Sequence, residues 1–170
     1  MSAIAVAERV VAVPLETAFA RFIDFTSWDL FMPASFRPIT GPARALRQGD
    51  RMRLALGPGA QIVSEATIVR VRPNKEICWS WGIPALVQAQ HSFFFSEANG
   101  GTRVRSEEPA SGLLTFGPLG RVFERELGRV GEEMLAGFAA HVAKPLKPLQ
   151  PGDAPQTHER DLSRAERAGL

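Results

Sequence analysis

Apolar and polar positions change their period several times along the chain. Residues Ile4 to Val13 mix apolar and β-branched side chains and predict a first strand. From there the spacing lengthens: Leu15, Ala18, Phe19, Phe22 and Ile23 recur at helical intervals and predict a short amphipathic helix. Pro14 suits its first position, and Glu16 sits favourably near the positive end of the helix dipole. A second short helix is expected from Thr26 or Ser27, carrying Trp28 and Phe31 and stopping before Pro33.

Between about Phe36 and Gly112 the pattern becomes strands punctuated by turn signals. These are Gly49-Asp50, Gly57-Pro58-Gly59, Arg72 to Lys75, and Asn99-Gly100-Gly101. The segments between them include RMRLAL, QIVSEATIVRV, EICWSWGI, QHSFFFSE and TRVRSEE. Turns this close together imply hairpins, and so an antiparallel meander and not a parallel βαβ sheet.

A long helix follows. Gly117 and Pro118 mark its start, and Lys144 precedes the terminating Pro145. Leu119, Phe123, Leu127, Val130, Met134, Phe138 and Val142 form one apolar stripe. At 1.5 Å per residue such a helix runs roughly 39 Å, enough to cross a whole sheet. Residues 145–170 are rich in Pro, Gly and charge and predict a disordered tail, with 1–144 as the folded domain.

Composition narrows the function classes. Lys and Arg total 20 against 18 Asp and Glu, a net charge of +2, so no strong field favours nucleic acid. The N-terminus is interrupted by Glu8 and Arg9 and reads as a strand, not a signal peptide. No apolar window is long enough for a transmembrane helix. Cys78 is the only cysteine and has no internal disulfide partner, which with the other absences favours the cytoplasm. His91, His141 and His158 lack metal-ligand spacing, and no P-loop, GxSxG or GxGxxG occurs. No metal or cofactor is expected, and the chain is expected to be a monomer or homodimer.

Strand, two short helices, antiparallel meander and long final helix is the order of a helix-grip fold: α+β, a curved antiparallel sheet wrapped around a long C-terminal helix. With VPLETAFARFIDFTSWDLFMP, RVRPNKEICWSWGI, HSFFF and GGTRVRSEEPASGLL in that order, the chain resembles the SRPBCC (START-like) superfamily, in particular its polyketide cyclase/dehydrase-like branch. The resemblance covers nearly all of residues 1–145. It implies an apolar cavity between sheet and long helix, used in that superfamily for lipids, sterols, polyketides and other hydrophobic molecules.

Alternation along EICWSWGI places Ile77, Trp79, Trp81 and Ile83 on one strand face, where the tryptophans either fill the core or line the cavity. A two-residue type I′ turn at Asn99-Gly100 would oppose Phe95 to Val104, Phe93 to Ser106 and His91 to Glu108. The apolar face would then end in a His91–Glu108 pair. That pair either orients a ligand or moves protons, or it is an ordinary ion pair at the sheet rim. A one-residue slip would substitute Glu107 for Glu108.

Gly131, beside the apolar stripe with Gly128 and Gly137 near it, either permits close helix–sheet packing or leaves room for ligand. On the second reading, Gly131→Leu should weaken binding of apolar ligands. Leu113, Leu114 and Phe116 form a connector that acts as a lid or as a buried anchor. The candidate ligand-binding set is therefore Phe19, Phe31, Trp79, Trp81, His91, Phe93, Phe95, Glu108, Phe123, Leu127, Val130, Gly131 and Met134.

Three functions are open at this point. The first is a carrier or sensor of a small hydrophobic ligand, lipid-, polyketide- or aromatic-like. The second is a cyclase- or dehydratase-like enzyme using His91 and Glu108 for acid–base chemistry. The third is a protein-interaction module employing the Pro-rich tail.

Overall fold

A computed structural model describes residues 3–144, so the expected disordered tail lies outside the described residues. Seven strands form one antiparallel sheet: β1 (Ala3–Val11), β2 (Phe36–Thr40), β3 (Arg51–Leu56), β4 (Ile62–Arg72), β5 (Glu76–Ile83), β6 (Val87–Ala98) and β7 (Gly101–Ser111). Their order is β1-β7-β6-β5-β4-β3-β2. The meander runs from β2 to β7, and β1 closes the far edge by pairing with β7, Ala5 opposite Glu108. Register shifts between Pro38 and Thr40 and between Ile68 and Arg70 are bulges of the kind that bend a sheet.

Period-2 alternation decides which side chains face inward. Along β7, Thr102, Val104, Ser106, Glu108 and Ala110 are buried while Arg103 and Arg105 face solvent. The inward face of β1 and β7 is small as well as buried, with Ala5, Ala7, Ser106 and Ala110. That lets a helix approach closely.

The helix that does so is α2 (Gly117–Val142), lying mainly against β1. A Cβ added at Gly131 would meet Ser106 Oγ at 3.2 Å and Ala7 Cβ at 3.6 Å, so this glycine serves helix–sheet contact. At Gly137 an added Cβ would run into the Phe31 carbonyl oxygen. The Arg21 guanidinium donates to the Val142 carbonyl at 3.1 Å, placing a cation at the negative end of α2. The buried stripe differs from expectation at its start: Leu119 is 66% exposed, and burial begins at Gly120. The helix also ends at Val142, two residues before Lys144.

The two short helices are present. The first is α1 (Leu15–Ile23), with Pro14 as its cap one residue earlier than expected. The second is a 3-10 helix over Phe25–Leu30, opened by Asp24, whose carboxylate accepts from the Thr26 backbone N–H. Trp28 is buried and donates its indole N–H to the Phe22 carbonyl at 2.8 Å. This ties the second helix to the first. Among the described residues no helix is long and apolar enough to cross a membrane.

Candidate functional site: an apolar cavity with one buried carboxylate

The space between sheet and α2 is unevenly filled. At one end Phe22 packs its ring against Trp28, Phe31, Phe93, Phe95 and Phe138, with centroids 4.6–6.3 Å apart. Trp79 stacks on Phe93 at 5.2 Å and meets Trp28 at 5.3 Å. Each such pair contributes about 0.5–1.5 kcal/mol beyond area burial.

Towards the other end, under the first half of α2, a cavity of about 250 Å³ opens. Its wall is largely apolar: Phe36, Leu56, Trp81, Ile83 and Val87 from the sheet side, Phe123, Leu127 and Val130 from the helix. Leu114 of the connector also lines it, whereas Leu113 and Phe116 are exposed. Glu126 and Arg129 stand among the lining residues from α2, and Ser35 and Glu108 supply the other polar side chains. Two further depressions, of about 290 Å³ around Ser80 and Pro109 and about 360 Å³ around Asp29 and Thr40, are shallow and more polar. The apolar cavity is the one of these three that matches ligand sites in its lining, and its volume falls just below their usual range of roughly 300–1,000 Å³.

Of the candidate set, Trp81, Glu108, Phe123, Leu127 and Val130 line this cavity. Phe19, Phe31, Trp79, His91, Phe93, Phe95 and Met134 do not, being buried in the packed interior. Gly131 is turned to Ser106 and Ala7, so the reading that its missing side chain makes room for ligand does not fit its position. The lining residues absent from the candidate set are those on β2, β3 and the β5–β6 hairpin, such as Phe36, Leu56 and Val87. Apolar strand positions do not reveal which of them border a void, because packing partners decide it.

The His91–Glu108 pairing is observed. Ser92 opposes Glu107 and Phe93 opposes Ser106, which fixes the predicted register, and His91 Nδ1 lies 3.5 Å from Glu108 Oε1. The turn that produces it is not type I′. Of its two central residues only Gly100 has positive φ, +85°, whereas type I′ needs positive φ at both. Turn length, which is two residues in either case, set the register.

Nor is the pair an ion pair at the rim. His91 is 1% exposed and Glu108 3%. Burial pushes His91 down to about 3 and Glu108 up to about 7, the latter held back in part by the Trp81 indole N–H donated to Oε1 at 2.7 Å. The imidazole is therefore neutral at physiological pH, and the 3.5 Å approach carries no charge–charge attraction. His91 Nε2 hydrogen-bonds Ser106 Oγ at 2.7 Å, while Nδ1 has no hydrogen-bond partner. Of the two, only the Glu108 carboxyl group borders the cavity.

Cys78 is buried, and burial raises its thiol pKa, so it is held protonated. Among the described residues no three His, Cys, Asp or Glu side chains are grouped to hold a metal ion.

No protein-family model matches the chain, and no curated protein matches it in sequence. Solved structures do resemble it. Protein MLL2253 from Mesorhizobium loti is 18% identical, with a TM-score of 0.63 over 84% of this chain and 99% of that one. The di-domain ARO/CYC StfQ from the steffimycin biosynthetic pathway is 13% identical, with a TM-score of 0.64 over 82% of this chain and 50% of that one. Ara h 8.0201 is 12% identical, with a TM-score of 0.61 over 84% and 99%. At these identities the likeness speaks to architecture alone. The chain has the helix-grip fold, a seven-stranded curled antiparallel sheet closed by a long C-terminal helix.

Proposed function

We propose that this protein binds a small hydrophobic molecule in the cavity under the first half of α2, as a carrier or sensor. Residues 1–144 act as one ligand-binding domain of the SRPBCC (START-like) type, nearest in kind to the polyketide cyclase/dehydrase-like branch. The observation that carries this reading is an apolar cavity of about 250 Å³ between the sheet and α2, lined by Trp81, Phe123, Leu127 and Val130. A cavity of that size suits a compact ligand of one or two rings or a short chain. The order of the chain's motifs supports the branch, and the lone buried Cys78 accords with a cytoplasmic setting.

Native mass spectrometry of the protein purified from cells tests this, with a bound small molecule as the expected outcome. No bound molecule, followed by failure to bind any of a broad panel of single- and double-ring apolar compounds, would refute it.

One observation favours a second reading, acid–base catalysis. Glu108 borders the cavity with a pKa raised to about 7 by burial, near the operating pH that suits a general acid or base. His91 would position and tune it. If the recovered ligand is converted on incubation and Glu108→Gln abolishes conversion while retaining affinity, the enzyme reading wins. An unchanged ligand mass leaves the carrier.

A further inference from the structure

The cavity wall holds one buried carboxyl group, and among the described residues no Lys or Arg pairs with it. Glu108 is 3% exposed, and its Oε1 accepts the Trp81 indole N–H. Among the described residues Oε2 accepts no hydrogen bond, and unlike His91 Nδ1 it is not sealed off, so it is open to the cavity. His91 approaches Oε1 only at 3.5 Å and, buried, carries no charge near neutral pH. Arg129 is the one cationic residue lining the cavity, and its guanidinium is already engaged by Glu126 at 2.8 Å and by Glu133. An ionised carboxylate left this way is costly unless something pairs with it.

We propose that the cavity is built for a small organic cation: a primary or secondary amine whose ammonium N–H donates to Glu108 Oε2 while its apolar body lies against Trp81, Leu127 and Val130. This rests on the ligand-binding reading above and names the class of molecule for that same site. A charged donor on a charged acceptor makes the stronger class of hydrogen bond, and the ligand supplies the missing charge in a low-dielectric setting. Anionic ligands are disfavoured by the same carboxylate.

The groups facing Glu108 define the pH behaviour. β6 contributes His91, α2 contributes Glu126 and Arg129 to the same cavity, β5 contributes Trp81, and β1 opposes Ala5. With the carboxyl near 7 in the empty cavity, amine affinity rises between pH 6 and 8 as Glu108 ionises, while an alkylamine stays protonated to about pH 10. Binding at pH 7 accordingly releases protons.

The test is isothermal titration of the full chain at pH 8 with four compounds of one body and different heads: 2-phenylethylamine, 2-phenylethanol, phenylacetate and ethylbenzene. The amine should bind at least about tenfold more tightly than ethylbenzene, with phenylacetate weakest. In Glu108→Gln the amine's advantage should fall to about threefold or less. Repeating the wild-type amine titration at pH 7 in buffers of different ionisation enthalpy should show proton release, a readout independent of whether the variant folds. Ethylbenzene or the alcohol binding as tightly as the amine would overturn the proposal while leaving the apolar-ligand reading intact. An amine preference that persists in Glu108→Gln, or no proton release, would overturn it too. Failure of all four compounds would overturn both.

Discussion

The two ends of the interface between sheet and long helix are made from similar residue types but are packed to opposite results. At the α1 end, Phe22, Trp28, Phe31, Phe93 and Phe138 interlock ring on ring. At the other, Trp81, Phe123, Leu127 and Val130 surround empty space with a carboxylate in its wall. The filled end has two extra layers, α1 and the 3-10 helix, whose aromatic side chains plug it. The hollow end has only the Leu113–Thr115 turn and the start of α2, whose Leu119 and Val122 point to solvent. On the proposed function, the plugged end serves stability and the hollow end serves binding.

The comparison breaks most visibly at Phe22. Phe22→Ala should cost about 3–5 kcal/mol, because the side chain is fully buried among other rings and the void cannot collapse. Phe123→Ala at the hollow end, where the ring is half-buried beside existing space, should cost only about 1–2 kcal/mol. Urea unfolding of both variants checks this, and equal losses would remove the distinction.

A second test uses pH. Glu108 has a folded pKa raised to about 7, so it favours the folded state fully below its unfolded value near 4.5, and that contribution is lost as pH rises to about 7. His91, lowered to about 3, acts oppositely: its neutral burial costs stability as pH falls below the unfolded value near 6.5. Between roughly pH 4.5 and 6.5 the folded and unfolded chains bind equal numbers of protons at these two sites, so their effects cancel there. Glu108→Gln removes one of them. Relative to wild type, that variant should gain about 3 kcal/mol of stability on moving from pH 4 to pH 8, read by chemical unfolding. A difference that does not change with pH would show that Glu108 is not held in the low-dielectric wall described above.

The smallest effects concern two glycines of α2. Gly128 faces open space, so Gly128→Ala should stabilise by about 1 kcal/mol through helix propensity. At Gly131 the new methyl meets Ser106 Oγ at 3.2 Å, which offsets the same gain. Gly131→Ala should therefore lie near zero, and ligand affinity should not move in either variant.

Much of this architecture was legible from the pattern of the chain. The long helix, the short ones and the hairpins followed from apolar spacing and from turn residues, and a two-residue turn at Asn99-Gly100 placed His91 opposite Glu108. Three things were not. The β5–β6 hairpin turns through Ala85 at φ +62°, a residue with no preference for that conformation and hence no signal. The β1–β7 pairing joins strands some 90 residues or more apart in the chain, which no local pattern encodes. The extent of the cavity was the third: the candidate set held Trp81, Leu127 and Val130, which line it, together with Trp79, Phe93 and Phe95, which do not, because a void is a property of how elements meet. Apolar side chains that line a hollow and those that fill a core look alike in sequence.

The central claim is that the hollow end takes the ligand and the filled end does not. Isothermal titration of ethylbenzene against wild type, Val130→Phe and Gly131→Ala addresses it directly. Phe at position 130 projects into the cavity and should weaken binding at least about tenfold, while Gly131→Ala, facing β1 and β7, should bind as wild type does. Undiminished binding in Val130→Phe would contradict the account.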